Sequence, residues 1–330
     1  MTQPRRYGMT IPFDRVPLAD HREWFRELVD LGYSDVWSSE ADGTDAFTPL
    51  ALAAAWAPEL RLGSAIVPAY TRSPALMAQS VAALAEAAPG RVAFGIGTSS
   101  NVIVERWNGL PFEEPYKRTL EMVRYVKAAM AGGKVEGEWT TFASKGFKLG
   151  RRPAVPAEVL VAALRPGMLR MAGRESDGAI INWLSAEDVT QVVPEVKAGR
   201  TASGQEGDPE IVARIFVVPT TDGDAVRAAG RFAIAAYLNV PVYAAFHEWL
   251  GRGEQLKPMW DHWKAGDRKA ALEAIPDSLV DELIVWGSPE ACREHVDRYH
   301  ANGVTTSAVA LLPFGVDQRD GIRALAPSAR

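Results

Sequence analysis

The segment AFGIGTSS, residues 93–100, passes from an apolar run through bare glycine into three hydroxyl side chains. Gly97 removes bulk, and Thr98, Ser99 and Ser100 offer hydroxyls and accessible N–H groups, which suits an anion such as a phosphate as well as an ordinary turn. A second segment, AALRPGM, ends a strand-like run and opens a helix-like one at Pro166. First-turn N–H groups are free there, and Arg165 adds a cation beside them. Neither segment carries the Walker pattern or the GxGxxG pattern, which disfavours ATP and a Rossmann-bound nicotinamide. Other chemistries lack their residues. No His pair flanks a glutamate at metal-ligand spacing, Cys292 is the lone cysteine, and no GxSxG elbow is present, so neither a metal centre, a disulfide nor a serine hydrolase is expected.

The elements that must position these loops emerge from alternating periodicities. Strand-like runs lie at 6–11, 33–39, 60–67, 91–97, 157–164, 177–184, 210–219 and 305–313. Helical spacing lies between them at 18–32, 48–57, 73–88, 117–131, 166–176, 185–199, 222–238 and 289–303. Eight βα units with no Gly, Ser or Pro-rich linker between halves predict one (β/α)8 TIM barrel over 1–330 rather than an open doubly wound sheet. Two stretches interrupt the repeat. Residues 132–156 suggest an insertion in the βα loop after the fourth strand, and 239–282 carry extra irregular or helical material before the eighth. Insertions in such loops tend to shape or cover the active mouth, and both anion-receptive segments fall at C-terminal strand ends, the face on which these barrels hold ligands.

Composition narrows the partners. A chain of 330 residues, 47% hydrophobic and 23% charged, buries a large core. Its 36 Lys and Arg against 41 Asp and Glu give a net charge of -5 with no basic run, which argues against nucleic acid and anionic membranes as partners. No segment approaches about 18 consecutive apolar residues, and the first residues lack the apolar stretch of a signal peptide. A cytoplasmic location is expected.

Several longer blocks carry a family resemblance. LVDLGYSDVWSSE (28–40), the block from LRLGSAIV to GLPFEEP (60–115), VLVAALRPGMLRMAGRESDGAIINWLSAE (159–187) and VWGSPEACREHVDRYHANGV (285–304) resemble the bacterial luciferase-like monooxygenase superfamily. Within it they resemble the F420-dependent oxidoreductases of actinobacterial type. The resemblance implies a commonly dimeric barrel that binds a flavin or the deazaflavin F420 at its C-terminal mouth. It makes Ala65–Ile66, in GSAIV, the candidate for a non-prolyl cis peptide behind the ring. It implies a phosphate or ribityl contact for Gly97, Thr98 and Ser99, and a phosphate approach for Arg165, Pro166 and Gly167. It also points Asn182 toward the same mouth and places Ser39 and Glu40 near the edge of the deazaflavin ring. Glycine is common near position 165 in flavin-binding relatives, so Arg165 either clamps the phosphate or obstructs it.

One departure separates the chain from the glucose-6-phosphate dehydrogenases of that group. They carry an acid–histidine pair at the end of strand two, where this chain has Glu40–Ala41. His21, His295 and His300 fall in surface-helix patterns, which leaves His247 and His262 as the histidines able to reach a pocket. Glu40 and His247 are the catalytic candidates. Trp37, Tyr70, Trp107 and Trp183 follow or end strand runs and suggest a hydrophobic substrate wall, with Trp249, Trp260 and Trp263 in the excursion. Arg72, Lys117, Arg118, Arg151 and Arg152 are candidates for a cofactor's polyglutamate tail. The expected activity is hydride transfer between F420 and a small, hydrophobic organic substrate, in either direction. Alternatives are an FMN-dependent monooxygenase of the same superfamily and a cofactor-free structural or binding protein.

Overall fold

Parallel pairing closes the sheet on itself. The computed structural model describes residues 5–312 and 314–329, so the end of the last predicted strand at Pro313 lies outside the described residues. The ring runs through β1 (Arg6–Ile11), β2 (Asp35–Ser38), β3 (Arg61–Ser64), β4 (Val92–Gly97), β5 (Glu158–Ala162), β6 (Gly178–Asn182), β7 (Glu210–Val218) and β8 (Thr306–Leu311). The last of these pairs with both β7 and β1. Strands such as VAFGIG and EIVARIFVV are buried nearly throughout, as expected for a parallel sheet covered on its outer face by helices.

The helices are α1 (His21–Asp30), α2 (Phe47–Trp56), α3 (Pro74–Ala87), α4 (Pro115–Ala131), α5 (Pro166–Glu175), α6 (Val189–Ala202) and α7 (Gly223–Leu238). After them come α8 (Pro241–Trp249), α9 (Gly253–Lys264), α10 (Arg268–Glu273), α11 (Asp277–Leu283), α12 (Pro289–Ala301) and α13 (Gln318–Ala324). Prolines open α3, α4, α5 and α12, where a missing N–H is harmless and the fixed φ favours the first turn.

The barrel interior is filled by Trp37, Ala93, Leu160, Ile180, Val212 and Ala308. At the N-terminal ends of the strands, Arg61 reaches Asp35, Glu158 and Glu210 and plugs the bottom with buried charge. Burial works against the Arg61 cation, but hydrogen bonding to Glu210 and the surrounding carboxylates outweigh it and raise its pKa.

The structure departs from the sequence reading at the third strand and at 132–156, and fills 239–282 with the helical material expected there. The strand predicted over 60–67 breaks after Ser64 and resumes as Val67–Pro68, which pairs with β4. The stretch 239–282 is four helices, α8 to α11, which join Trp183, Phe216, Val218 and Ala310 in a second core. A short strand follows them, Ile284–Trp286, paired with β7. The 132–156 stretch leaves from the end of α4, so it is a helix-to-strand connection and not an insertion in the βα loop after the fourth strand. It folds back along α4, where the Glu121 carboxylate accepts both the backbone N–H and the hydroxyl of Thr140 and of Thr141. Trp139, Phe142 and Phe147 pack around Tyr125 there.

Candidate active site

The broken third strand forms a ledge at the C-terminal mouth. From Leu60 to Tyr70 the chain is buried except at Ala65 and Ile66, which are partly exposed, and the peptide between them is cis. Neighbouring strands fix the ledge from both sides. The Ala65 N–H donates to the Ser38 carbonyl at 2.6 Å, and the Glu40 N–H donates to the Ile66 carbonyl at 3.1 Å. On the other flank the Ser64 hydroxyl bridges the backbone of Gly95, accepting from its N–H and donating to its carbonyl at 2.9 Å each.

That bridge explains the bareness of AFGIGTSS. A Cβ at residue 95 would lie 1.9 Å from the Ser64 carbonyl oxygen, and one at residue 97 would lie 2.9 Å from the Ala162 Cβ and 3.3 Å from the Ile66 side chain. The two glycines let the ledge press onto β4.

Glu40 is tied to this ledge. Its carboxylate accepts from Arg72 at 2.6 Å, from the Thr71 hydroxyl at 3.1 Å and from the Ala46 N–H at 3.2 Å. Every oxygen of the group is thus engaged, and beside it the Ser38 hydroxyl donates to the Ala46 carbonyl. Ser39 is partly exposed between Ser38 and Glu40.

The anion-receptive segments flank the mouth on adjacent strands. Thr98, Ser99 and Ser100 are partly exposed, and Ser99 holds a left-handed φ of 62°, a conformation that a non-glycine residue adopts only when its surroundings enforce it. The π-helix Val102–Trp107 follows directly. On the next strand, Arg165 caps α5 in extended conformation and is exposed, as is Gly167. A Cβ at Gly167 would meet nothing within 4 Å, so the α5 start is open. Arg165 therefore stands beside the free first-turn N–H groups and does not fill the space over Gly167.

The opposite wall contains a residue absent from the sequence-derived set. Asn182 and Arg214 are register partners on β6 and β7, two residues beyond the interior-facing Ile180 and Val212, so both side chains face the barrel interior at its mouth. Asn182 donates to the Tyr243 hydroxyl at 3.2 Å. Its Oδ1 and the Nε of Arg214 are buried without a hydrogen-bond partner. The Arg214 guanidinium lies 5.0 Å from the Phe216 ring, which stacks on Trp183 at 4.2 Å. The signal for Arg214 was a single charge inside the apolar run IVARIFVV, in phase with inward-facing neighbours.

Other sequence candidates lie elsewhere. Trp37 is wholly buried in the barrel interior, Tyr70 donates to the Glu113 carbonyl, and Trp107 is 54% exposed outside. Arg72 and Arg118 are engaged by Glu40 and by the Ala69 and Thr141 carbonyls, whereas Arg151 is exposed and pairs with Glu86 on the surface. His21 and His300 are buried rather than superficial. The His21 Nε2 accepts from the Phe13 N–H, and His300 Nδ1 meets the Val304 carbonyl. Among the described residues no group of three His, Cys, Asp or Glu side chains is placed to hold a metal ion, and no helix is long and apolar enough to cross a membrane. A cleft of about 550 Å³ between α1 and α13 is lined by charged side chains, Glu27 receiving both Arg319 and Arg323.

His247 does not line the mouth. It is wholly buried on α8, with Phe246 packed at its edge, which removes it from contact with a substrate. Burial, reinforced by Arg252 and opposed by Asp188, pulls its imidazole from 6.5 down to about 4. His295 is pulled down to about 4 by burial as well. Because the folded state binds these protons more weakly than the unfolded one, stability is complete above the unfolded pKa and falls as pH drops from 6.5 toward 4. For His247 alone the full loss is about 3 kcal/mol. Urea unfolding should therefore show a marked drop in stability between about pH 7.5 and about pH 5, and His247→Leu should flatten that slope. An unchanged slope in the variant would show that the His247 imidazole titrates in the fold as it does in the unfolded chain.

With this geometry in place, comparison with known proteins gives a consistent result. The profile described as luciferase-like monooxygenase matches residues 2–306. The chain is 26% identical over 312 residues to a 5,10-methylenetetrahydromethanopterin reductase of Archaeoglobus fulgidus, covering 91% of this chain and 92% of that protein. Its fold is similar to that of the coenzyme F420-dependent tetrahydromethanopterin reductase from Methanopyrus kandleri, with a TM-score of 0.80, 20% identity and 98% of each chain covered. It is also similar to that of an F420-dependent secondary alcohol dehydrogenase in complex with an F420–acetone adduct, with a TM-score of 0.79, 17% identity and 99% of each chain covered.

Proposed function

The chain belongs to the luciferase-like monooxygenase family, and from that premise we propose that it is an oxidoreductase that exchanges a hydride between the C5 position of coenzyme F420 and a small, hydrophobic organic substrate. The observation that carries this reading is the pairing, at one mouth, of the partly exposed Ala65–Ile66 ledge with the open, cationic start of α5 at Arg165. A flat ring system needs the first and a phosphate needs the second. The names of the two similar structures support F420 over FMN.

Thr98, Ser99, Arg165, Pro166 and Gly167 would hold the phosphate end, Gly97 would leave room for the ledge, Ala65 and Ile66 would back the ring, and Ser39 and Asn182 would border it. When bound, F420 supplies the hydride donor or acceptor. The chain's own part is to orient the reactants and to exclude water behind Trp183 and Phe216. The Tyr243 hydroxyl, whose pKa burial pushes up to about 12, offers a neutral hydrogen-bond donor at the mouth.

With both carboxylate oxygens occupied, Glu40 acts as a positioning residue that fixes the ledge through Arg72 and Thr71. Glu40→Gln is expected to weaken F420 binding about tenfold while leaving the pH profile of turnover unchanged. A fall in kcat of about 100-fold or more with loss of one limb of that profile would instead make Glu40 the proton carrier.

The activity itself is tested by following the visible absorbance of the deazaflavin. Oxidised F420 is mixed with a panel of secondary alcohols, and reduced F420 with a panel of enones and imines. Turnover of a member of either panel supports the proposal. Oxygen-dependent product formation with reduced FMN, and none with F420, would overturn it.

A further inference from the structure

The inner wall of the mouth holds a cation that the fold leaves without a counter-charge. Arg214 sits on β7 facing inward, and no carboxylate pairs with it among the described residues. Another mouth arginine, Arg72, is neutralised by Glu40, and the interior arginine at the opposite end, Arg61, is surrounded by Asp35, Glu158 and Glu210. Arg214 is different in kind. Its Nε is buried and lacks an acceptor, while the side chain as a whole stays partly exposed.

Its neighbours extend the same pattern of donors. The Tyr243 hydroxyl accepts from Asn182 Nδ2, which leaves its own proton to donate. Thr10 Oγ1, on the inward face of β1, is likewise buried without a partner. Phe216, itself buried, backs the guanidinium from the core side at 5.0 Å. A planar guanidinium without a counter-charge beside a neutral hydroxyl donor matches a planar oxyanion.

We propose that Arg214 and Tyr243 form a specificity site for a substrate carboxylate, so that the substrate is an organic acid rather than a neutral molecule. The inference rests on the F420 reading only for the identity of the cofactor that the acid meets. The guanidinium takes the carboxylate in a forked pair of hydrogen bonds, and the tyrosine hydroxyl adds a third donor.

The test uses benzoate as the probe and benzamide as its neutral counterpart, each titrated calorimetrically into the full chain with and without F420. F420 affinity is measured separately by fluorescence. Benzoate should bind about tenfold or more tightly than benzamide, as a charge-assisted pair requires. Arg214→Met should abolish that preference, and Arg214→Lys should keep part of it, since the charge remains and the fork is lost. Both variants should bind F420 as the parent protein does. Equal binding of the two probes, no binding of benzoate at millimolar concentration, or a preference that survives Arg214→Met would overturn the proposal. Loss of F420 affinity in Arg214→Met would overturn it too, by assigning the guanidinium to the cofactor. Failure of the parent protein to bind F420 would count against the functional reading alone, because the comparison of benzoate with benzamide on the cofactor-free chain still decides the role of Arg214.

Discussion

Arg61→Met is expected to destabilise the fold by about 3–5 kcal/mol, because it leaves buried carboxylates without their cation. Arg61 donates to Glu210 at 2.8 and 2.6 Å and to Asp35 at 3.2 Å, and it also meets Glu158. Asp35 is wholly buried and Glu210 nearly so. Burial already raises the pKa of Asp35 in the presence of Arg61.

Removing the guanidinium raises it further, and the sign of the pH dependence follows. A carboxyl whose folded pKa lies above its unfolded value opposes folding when ionised, so the deficit of the variant should be larger at about pH 8 than at about pH 5.5. Chemical denaturation at the two pH values reads this directly. Adding Asp35→Asn and Glu210→Gln to Arg61→Met should recover much of the loss, since a network removed whole is far less harmful than one broken. A single variant as stable as the parent would mean that the plug contributes nothing net.

Gly95→Ala should have the largest effect on the site. The new methyl would sit 1.9 Å from the Ser64 carbonyl oxygen and 2.3 Å from Ile180 Cδ1, and the former is backbone that the Ser64 hydroxyl clamps to residue 95 itself. Overpacking of this kind costs about 3 kcal/mol, and relief requires the ledge at Ala65–Ile66 to move. F420 affinity should fall by about 100-fold or more if the ledge backs the ring. Gly97→Ala should be milder, because its closest contact, at 2.9 Å, is the Ala162 methyl rather than backbone. A Gly95→Ala protein that binds F420 normally would remove the ledge from the cofactor site.

How much of this was legible in the sequence depends on whether a feature is local. The barrel follows from alternating apolar runs and amphipathic helices, a local periodicity that survives folding almost intact. The ledge was visible only through resemblance: nothing in the residue types of GSAIV distinguishes a broken strand from a continuous one, and the break depends on Gly95 and Gly97 across the strand pair. His21 and His247 sit on helices whose spacing does not reveal that the neighbouring elements cover them, so a reading by pattern places them wrongly. Glu40 was found by position, but its partners Arg72, Thr71 and Ala46 come from other segments, and they turn a free carboxylate into a tether. Arg214 was missed because strand periodicity shows that Val212, Arg214 and Phe216 share a face without showing which face is the interior. The register with Asn182 settles that.

The central claim is that this mouth holds F420. Its most direct test is a titration of the purified chain with F420 and, separately, with FMN at matched ionic strength, read by calorimetry and by the intrinsic fluorescence of each cofactor. The account predicts micromolar or tighter binding of F420, weakened by Arg165→Ala and by Gly95→Ala, and no comparable signal with FMN. Tight binding of FMN with none of F420 would contradict it and place the chain among the flavin-using members of the family.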